Sequence, residues 1–262
     1  MLLLIDIGNT NVVLGIWDGS QFVRRWRVAT DRTRMPDEWW VVLHGLASSD
    51  GINLDGISGA ILSSVVPSLT QWVAGMTRDR VGVDPLIVSA ASNLGIKVRT
   101  DNPSEVGADR LVNAVAAFDA FGGPTVVIDF GTATNFDVIS REGEYIGGAI
   151  APGIRLAHDA LVSRAAKLSS VELVFPERAI GSNTVTAMQS GIMLGYASLI
   201  DGMIERIDAD LGERATVIAT GGLGSIFSQA CKRISAYMPD LTLDGLRIIW
   251  ERSTASLNAT ER

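Results

Sequence analysis

Cysteine is almost absent from this chain of 262 residues: Cys231 stands alone, so no internal disulfide and no multi-cysteine zinc site can form. Cys231 reads as a small apolar residue on a helix, buried and unreactive. Histidine is nearly as scarce. His44 and His158 fall on predicted helices without a second metal-type ligand at helical spacing, which predicts structural roles for both. Runs of Lys and Arg are missing as well, and the net charge of −7 opposes phosphate backbones and anionic lipid, so neither nucleic acid nor membrane is expected as a partner. Long apolar runs are also missing. Met1–Ile5 is cut by Asp6 well short of the roughly 7–15 apolar residues of a signal peptide, and nothing approaches the ~20 of a membrane span. A cytoplasmic protein is expected. The Gly-rich phosphate loop ending in Gly-Lys-Ser/Thr does not occur, which excludes nucleotide binding of that type.

The composition present is that of a folded enzyme. Hydrophobic residues make up 47% and charged residues 19%, far from the polar balance of disordered chains, and the length suits one large domain or two small lobes. Only Asn258–Arg262 reads as a frayed tail. Trp26, Trp39 and Trp40 have apolar neighbours and read as core, and Arg24-Arg25-Trp26-Arg27 as a solvated face in or beside a strand.

An internal echo organises the rest. Leu2-Leu-Leu-Ile-Asp-Ile-Gly-Asn-Thr-Asn11 is an apolar strand ending in Asp, one apolar residue, Gly, and small polar residues; Thr125-Val-Val-Ile-Asp-Phe-Gly-Thr-Ala-Thr134 repeats it. A second strand follows each copy, at Val12–Trp17 and Phe136–Ile139, and then a hairpin-type turn at Asp18-Gly19 and Glu142-Gly143. Helical periodicity marks 36–48, 68–78, 109–121, 154–167, 184–211 and 225–235, and further strands are predicted at 59–63, 85–88, 216–219 and 246–250. The alternation predicts an α/β fold with a mixed sheet in each half. The composition break at Phe121-Gly-Gly-Pro124 sets the expected domains at 1–121 and 122–262.

Gly8 lets the backbone turn sharply after Asp6, offering N–H groups and the Asn9, Thr10 and Asn11 side chains to phosphate oxygens. Asp6 is placed to hold Mg²⁺ through water, since that ion keeps much of its hydration. The bland alternative is an ordinary strand, turn and strand. The second copy, at Asp129-Phe-Gly-Thr-Ala-Thr134, argues for a clamp on a nucleotide tail. Glycines at Gly147 to Gly153, Gly191 with Gly195, and Gly221-Gly222 suit close backbone approach to a ligand such as adenosine. In Asn102-Pro-Ser-Glu-Val-Gly-Ala-Asp-Arg110, Gly107 and Ala108 leave room for a ligand, Asp109 can accept a hydroxyl proton, and Arg110 can grip a carboxylate. Alternatively Asp109 caps a helix and Arg110 is a surface charge.

The ordered set of an Asp-x-Gly loop, an Asp-x-Gly-Thr loop and a strand-ending Gly-Gly resembles the actin, Hsp70 and sugar-kinase superfamily across the whole chain. With Ser63-Ser-Val-Val-Pro67, Val106-Gly-Ala-Asp-Arg110, Gly147-Gly-Ala-Ile-Ala-Pro-Gly153 and Gly181-Ser-Asn-Thr-Val185 added, the chain is similar to type III pantothenate kinases. That resemblance implies two similar ribonuclease H-like lobes, mixed sheets flanked by helices, with a nucleotide cleft between them. It further implies ATP on Asp6, Ile7, Gly8, Asn9, Thr10, Asn11, Val12, Val13 and Thr132, with Asp6 near Mg²⁺. Pantothenate would lie on Gly107, Ala108, Asp109, Arg110 and Thr184, with Asp109 as general base. Asp129 would hold a monovalent cation, K⁺ or NH₄⁺, and the chain would be a homodimer. The sequence departs from the family at Thr100, where Tyr is frequent beside the substrate, at Asn135, often Thr, and at Ser253, often Asn. The rival readings are a catalytically silent accessory homolog, an actin-like filament protein, and a kinase for a different hydroxy acid.

Overall fold

The computed structural model describes residues 1–260, which form two compact units: Met1–Ala116 together with the segment from Asp240 onward, and Ala117–Pro239.

In the first unit β1 (Leu2–Ile7), β2 (Asn11–Trp17), β3 (Phe22–Ala29), β4 (Gly59–Ser64) and β5 (Leu86–Ile87) form a sheet in the order β3-β2-β1-β4-β5. β1 runs antiparallel to β2 and parallel to β4. The period of two decides what each face does. Leu3, Ile5, Ile7, Val12, Leu14, Ile16, Ala60 and Leu62 point to one face and pack with Trp39 and Leu43 of α1 (Pro36–Ser49) and Leu69 and Val73 of α2 (Pro67–Met76). Leu2, Leu4 and Asp6 alternate with these and take the other face. A short strand, β6 (Lys97–Val98), precedes α3 (Ala108–Phe121).

The second unit repeats the plan. β7 (Thr125–Phe130), β8 (Ala133–Ile139), β9 (Glu144–Pro152), β10 (Thr216–Gly221) and β11 (Ala236–Tyr237) run in the order β11-β10-β7-β8-β9. β7 is antiparallel to β8 and parallel to β10, as β1 is to β2 and β4. Its core joins Val126, Ile128, Phe136 and Val217 to Ile200 and Ile204 of α6 (Gly195–Leu211) and Phe227 of α7 (Gly224–Ala230). α4 (Ile154–Arg164) and α5 (Thr184–Gln189) precede α6, and one wide π-type turn over Ser190–Leu194 joins α5 to α6. The apolar stretch 184–211 is therefore helical throughout but not one regular helix.

One expected element is wrong. Residues 246–250 are not a strand but the middle of α8 (Leu241–Thr260). Leu-Arg-Ile-Ile-Trp is an apolar run too short for periodicity to separate strand from helix. The helix buries Leu241, Leu246 and Ile249, and this is why the segment after Pro239 joins the first unit instead of the expected 122–262 lobe. Gly59 of β4 leaves space for Trp250, Gly15 of β2 meets Leu243, and Gly245 lets α8 lie directly on the Val112 carbonyl of α3. Thr242 Oγ1 donates to Asn113 Oδ1 at 2.8 Å, and Arg25 of β3 pairs with Asp240 at 3.0 Å. The other seam, at Ala116, falls within α3 instead of at Phe121. The tail expected at Asn258–Arg262 ends outside the described residues.

A methyl group at position 245 would overlap the Val112 carbonyl oxygen. Gly245→Ala is therefore expected to cost about 1–3 kcal/mol, the scale of overpacking a close contact. A lower urea midpoint would register the cost; an unchanged midpoint would contradict this docking of α8 on α3.

Candidate active site

In the first unit the site grows from the end of β1. Asp6 lies in register with Ser63 of β4 on one side and Val13 of β2 on the other. The Ser63 hydroxyl, fully buried, donates to Asp6 Oδ1 at 2.5 Å. Beyond Ile7 the chain turns: the Gly8 N–H donates to the Asn11 carbonyl at 3.0 Å. Thr30 braces the turn, its hydroxyl donating to the Gly8 carbonyl at 2.7 Å and its N–H to the Thr10 carbonyl at 2.9 Å. Asn9 and Thr10 are exposed at the tip, and Arg32 donates to Asn9 Oδ1 at 2.8 Å.

α3 brings the second carboxylate. Asp109 lies in its first turn, where an acid is favoured by the helix dipole, and its Oδ1 accepts the Arg110 N–H at 2.8 Å. Burial pushes Asp109 above the usual carboxylate range, against the Arg110 N–H and charge. Asp6 is pushed up to about 7, first by burial and then by the nearby Asp109 charge, with the Ser63 hydrogen bond and the Arg27 charge opposing. The Asp109 charge therefore reaches Asp6. Gly107 makes room for Asp109 itself, because a Cβ there would stand 2.6 Å from Asp109 Oδ1.

The second loop belongs to the other unit. Asp129 takes the position on β7 that Asp6 takes on β1, in register with Thr220 of β10 and Asn135 of β8. Its turn is one residue shorter: Asp129 pairs six residues on, whereas Asp6 pairs seven residues on with Val13. Gly131 N–H donates to the Ala133 carbonyl at 3.0 Å, and Gly153 N–H to the Thr132 carbonyl at 3.0 Å. Thr132 is exposed. Gly221, at φ +84°, adjoins Asp129 and the Phe130 backbone, while Gly222 has nothing within 4 Å of where a Cβ would stand. Gly148 and Gly153 likewise admit the Phe136 and Thr132 carbonyls. Thr184 is exposed at the start of α5, whose N-cap Asn183 accepts the Thr186 N–H at 3.0 Å.

A family model described as type III pantothenate kinase matches residues 2–206. A type III pantothenate kinase of Thermomicrobium roseum is 52% identical over 99% of this chain and 100% of its own, and one of Moorella thermoacetica 51% identical over 97% and 100%. The chain belongs to the type III pantothenate kinase family. Component A of (R)-2-hydroxyglutaryl-CoA dehydratase from Acidaminococcus fermentans superposes with TM-score 0.58 at 14% identity, over 97% of this chain and 98% of that one. That likeness bears on the fold alone, which is the actin, Hsp70 and sugar-kinase fold.

Within this type III pantothenate kinase-family chain, sequence reading missed two contributors to the first loop. Ser63 lay in a quoted motif without a role, and Arg27, read as part of a solvated face, is exposed but shares the cross-strand row of Asp6 through Val13. Alternating residues on adjacent strands carry that signal, and it is visible only once the register is known. Cys231, expected on a helix, instead lies just past the end of α7. Trp26 and Trp39 are buried, Trp26 donating to Asp50 at 2.7 Å. His158 is buried, its Nε2 accepting the Val171 N–H at 3.2 Å; His44 lies beside Trp40 at 5.1 Å. Burial pushes the Cys231 thiol up to about 12. No helix among the described residues is long and apolar enough to cross a membrane.

The folded chain holds the Asp6 proton up to about pH 7, whereas the unfolded chain releases it near 3.8. Between those values folding therefore becomes less favourable as pH rises. Asp6→Asn removes the penalty. In metal-free urea titrations it is expected to gain at least about 1.4 kcal/mol over the parent at pH 8, the equivalent of one pKa unit, and to match it at pH 4. A variant no more stable than the parent at pH 8 would mean that Asp6 ionises there freely.

Proposed function

We propose that the chain transfers the γ-phosphoryl group of ATP to pantothenate, giving 4′-phosphopantothenate and ADP, the first step of coenzyme A biosynthesis. The observation that carries this reading is the pairing of two buried-side acids, Asp6 at the phosphate-type turn and Asp109 at the head of α3, in a chain sharing half its sequence with proteins bearing that name. Asp109 is the base. It takes the proton of the primary hydroxyl as the new O–P bond forms and the bond to the β-phosphate oxygen breaks, and its raised pKa strengthens it for that task. Arg110 faces the pantothenate carboxylate, with Gly107, Ala108 and Thr184 also lining the substrate.

Thr100 supports the same reading. Its hydroxyl oxygen is buried and has no hydrogen-bond partner among the described residues, a cost that a substrate hydrogen bond would offset. The segment after Asp6, from Ile7 through Val13 with Asn9 and Thr10 exposed at its tip, receives the ATP phosphates, and Thr132 offers a second set of donors. Mg²⁺ fits Asp6, because Oδ1 is taken by Ser63 and the other oxygen can accept from the water of a hydrated ion. When bound, Mg²⁺ supplies charge neutralisation on the phosphates. Asp129 is assigned to a monovalent cation, K⁺ or NH₄⁺, an oxygen-rich turn lying just beyond it. A homodimer is part of the proposal: Ile146, Ile150, Leu156, Leu161, Ile180 and Val185 are exposed apolar residues of the second unit that a partner copy would cover. So is a cytoplasmic location. The silent accessory reading finds no support in relatives this similar.

The purified protein is expected to release ADP from Mg-ATP only when pantothenate is present, and faster in K⁺ than in Na⁺. Asp109→Asn should lower turnover about 10²–10⁴-fold, as loss of a general base does, with ATP binding unchanged. Near-normal turnover in the folded variant would remove Asp109 from the role. In sedimentation the chain should run as a discrete dimer; a monomer or an open polymer would refute the assembly.

A further inference from the structure

Ser63 has no assigned role, yet it is the group through which the sheet grips Asp6. Its side chain is 0% exposed. It stands on the parallel neighbour strand directly in register with Asp6, and its hydroxyl gives its one proton to Asp6 Oδ1 at 2.5 Å. A carboxylate on a rotatable side chain has two equivalent oxygens; a donor fixed to a neighbouring strand makes them inequivalent and sets the plane of the group. The second unit carries the same device in outline, with Thr220, 3% exposed, in register with Asp129. A hydroxyl beside each motif acid is therefore a property of both halves, although the turns that follow differ by a residue.

We propose that Ser63 is a positioning residue: its hydrogen bond fixes the Asp6 carboxylate so that the second oxygen is presented to the hydrated divalent cation of Mg-ATP. This rests on the reading of Asp6 given above. The specific consequence is that Ser63 acts on ATP affinity only when metal is present, and only through Asp6. A residue that merely filled the core would weaken binding with and without metal, and would do so whether or not position 6 carried a charge.

Calorimetric titration with ATP, once with excess Mg²⁺ and once with EDTA, tests both levels separately. The parent should bind more tightly with Mg²⁺, and Asp6→Asn should lose that gain. If Asp6→Asn keeps the gain, the reading of Asp6 fails and Ser63 falls with it. Given that loss, Ser63→Ala is expected to weaken Mg-ATP binding about tenfold, the scale of one hydrogen bond to a charged group, and to leave binding in EDTA unchanged. Added to Asp6→Asn it should change nothing further, and Ser63→Thr, which keeps the hydroxyl, should recover most of the affinity. Should the alanine variant fail to fold, Ser63→Cys, which keeps the side-chain shape at a slightly larger size and donates only weakly, is read in the same comparison. Parent-like Mg-ATP binding by a folded alanine or cysteine variant, equal weakening in Mg²⁺ and EDTA, or an added loss in the Asp6→Asn background would overturn the proposal.

Discussion

The alternation of side chains along β1 is the constraint on which the site depends. Leu3, Ile5 and Ile7 fill the core beneath α1 and α2, and the same pleat turns Asp6 to the opposite face. A slip of one residue would drive the carboxylate into that core and turn three large aliphatic side chains out of it, onto the face where Asp6 now stands. Each fully buried aliphatic side chain is worth about 1.5–3 kcal/mol, so the apolar partners hold the register firmly enough to carry a half-buried acid whose pKa is pushed to about 7. The unfavourable group is tolerated because its neighbours cannot move. β7 repeats the arrangement, with Val126, Ile128 and Phe130 in the core and Asp129 alternating with them.

From this shared plan the units diverge where chemistry requires it. Strand order and direction are the same in both sheets, but the face that carries Asp6 receives two helices the other unit does not reproduce in the same way. α8 lies over β1, β2 and β4 through Gly15 and Gly59, and α3 lies under α8 at Gly245. That docking is what delivers the first turn of α3, and with it Asp109, toward Asp6. The first unit thereby brings a second acid toward its motif carboxylate. Duplication supplies two phosphate-type turns, and asymmetry in the covering helices supplies one base.

Much of this was legible in sequence because apolar runs and Asp-x-Gly turns are local signals. The echo at Asp6 and Asp129, the alternation of helix and strand, and the helix behind Asp109 all follow from residues close in the chain. β3 was harder: Phe22–Ala29 carries three arginines, and only Trp26 of the eight is fully buried, so little marks a strand. β9 reads as a glycine cluster because Gly147 and Gly148 are needed where it pairs tightly with β8. The middle of α8 looks like a strand because its partners are more than a hundred residues away. Ser63 and Arg27 could not be tied to Asp6 from local sequence, since register between distant strands brings them into one row.

Two glycines of the motifs also make room for the acids. A Cβ at Gly107 would lie 2.6 Å from Asp109 Oδ1, and one at Gly221 would lie 2.6 Å from Asp129 Oδ1. A missing side chain next to an acid leaves the carboxylate room beside the main chain, bordered by the Val65 side chain at Gly107 and by the Phe130 backbone at Gly221. Ser63 holds Asp6 by attraction, while Gly107 and Gly221 admit their acids by yielding room. Since phosphoryl transfer asks a protein for position and charge more than for covalent chemistry, three acids held by such different means are consistent with one demand, that each carboxylate keep a single orientation.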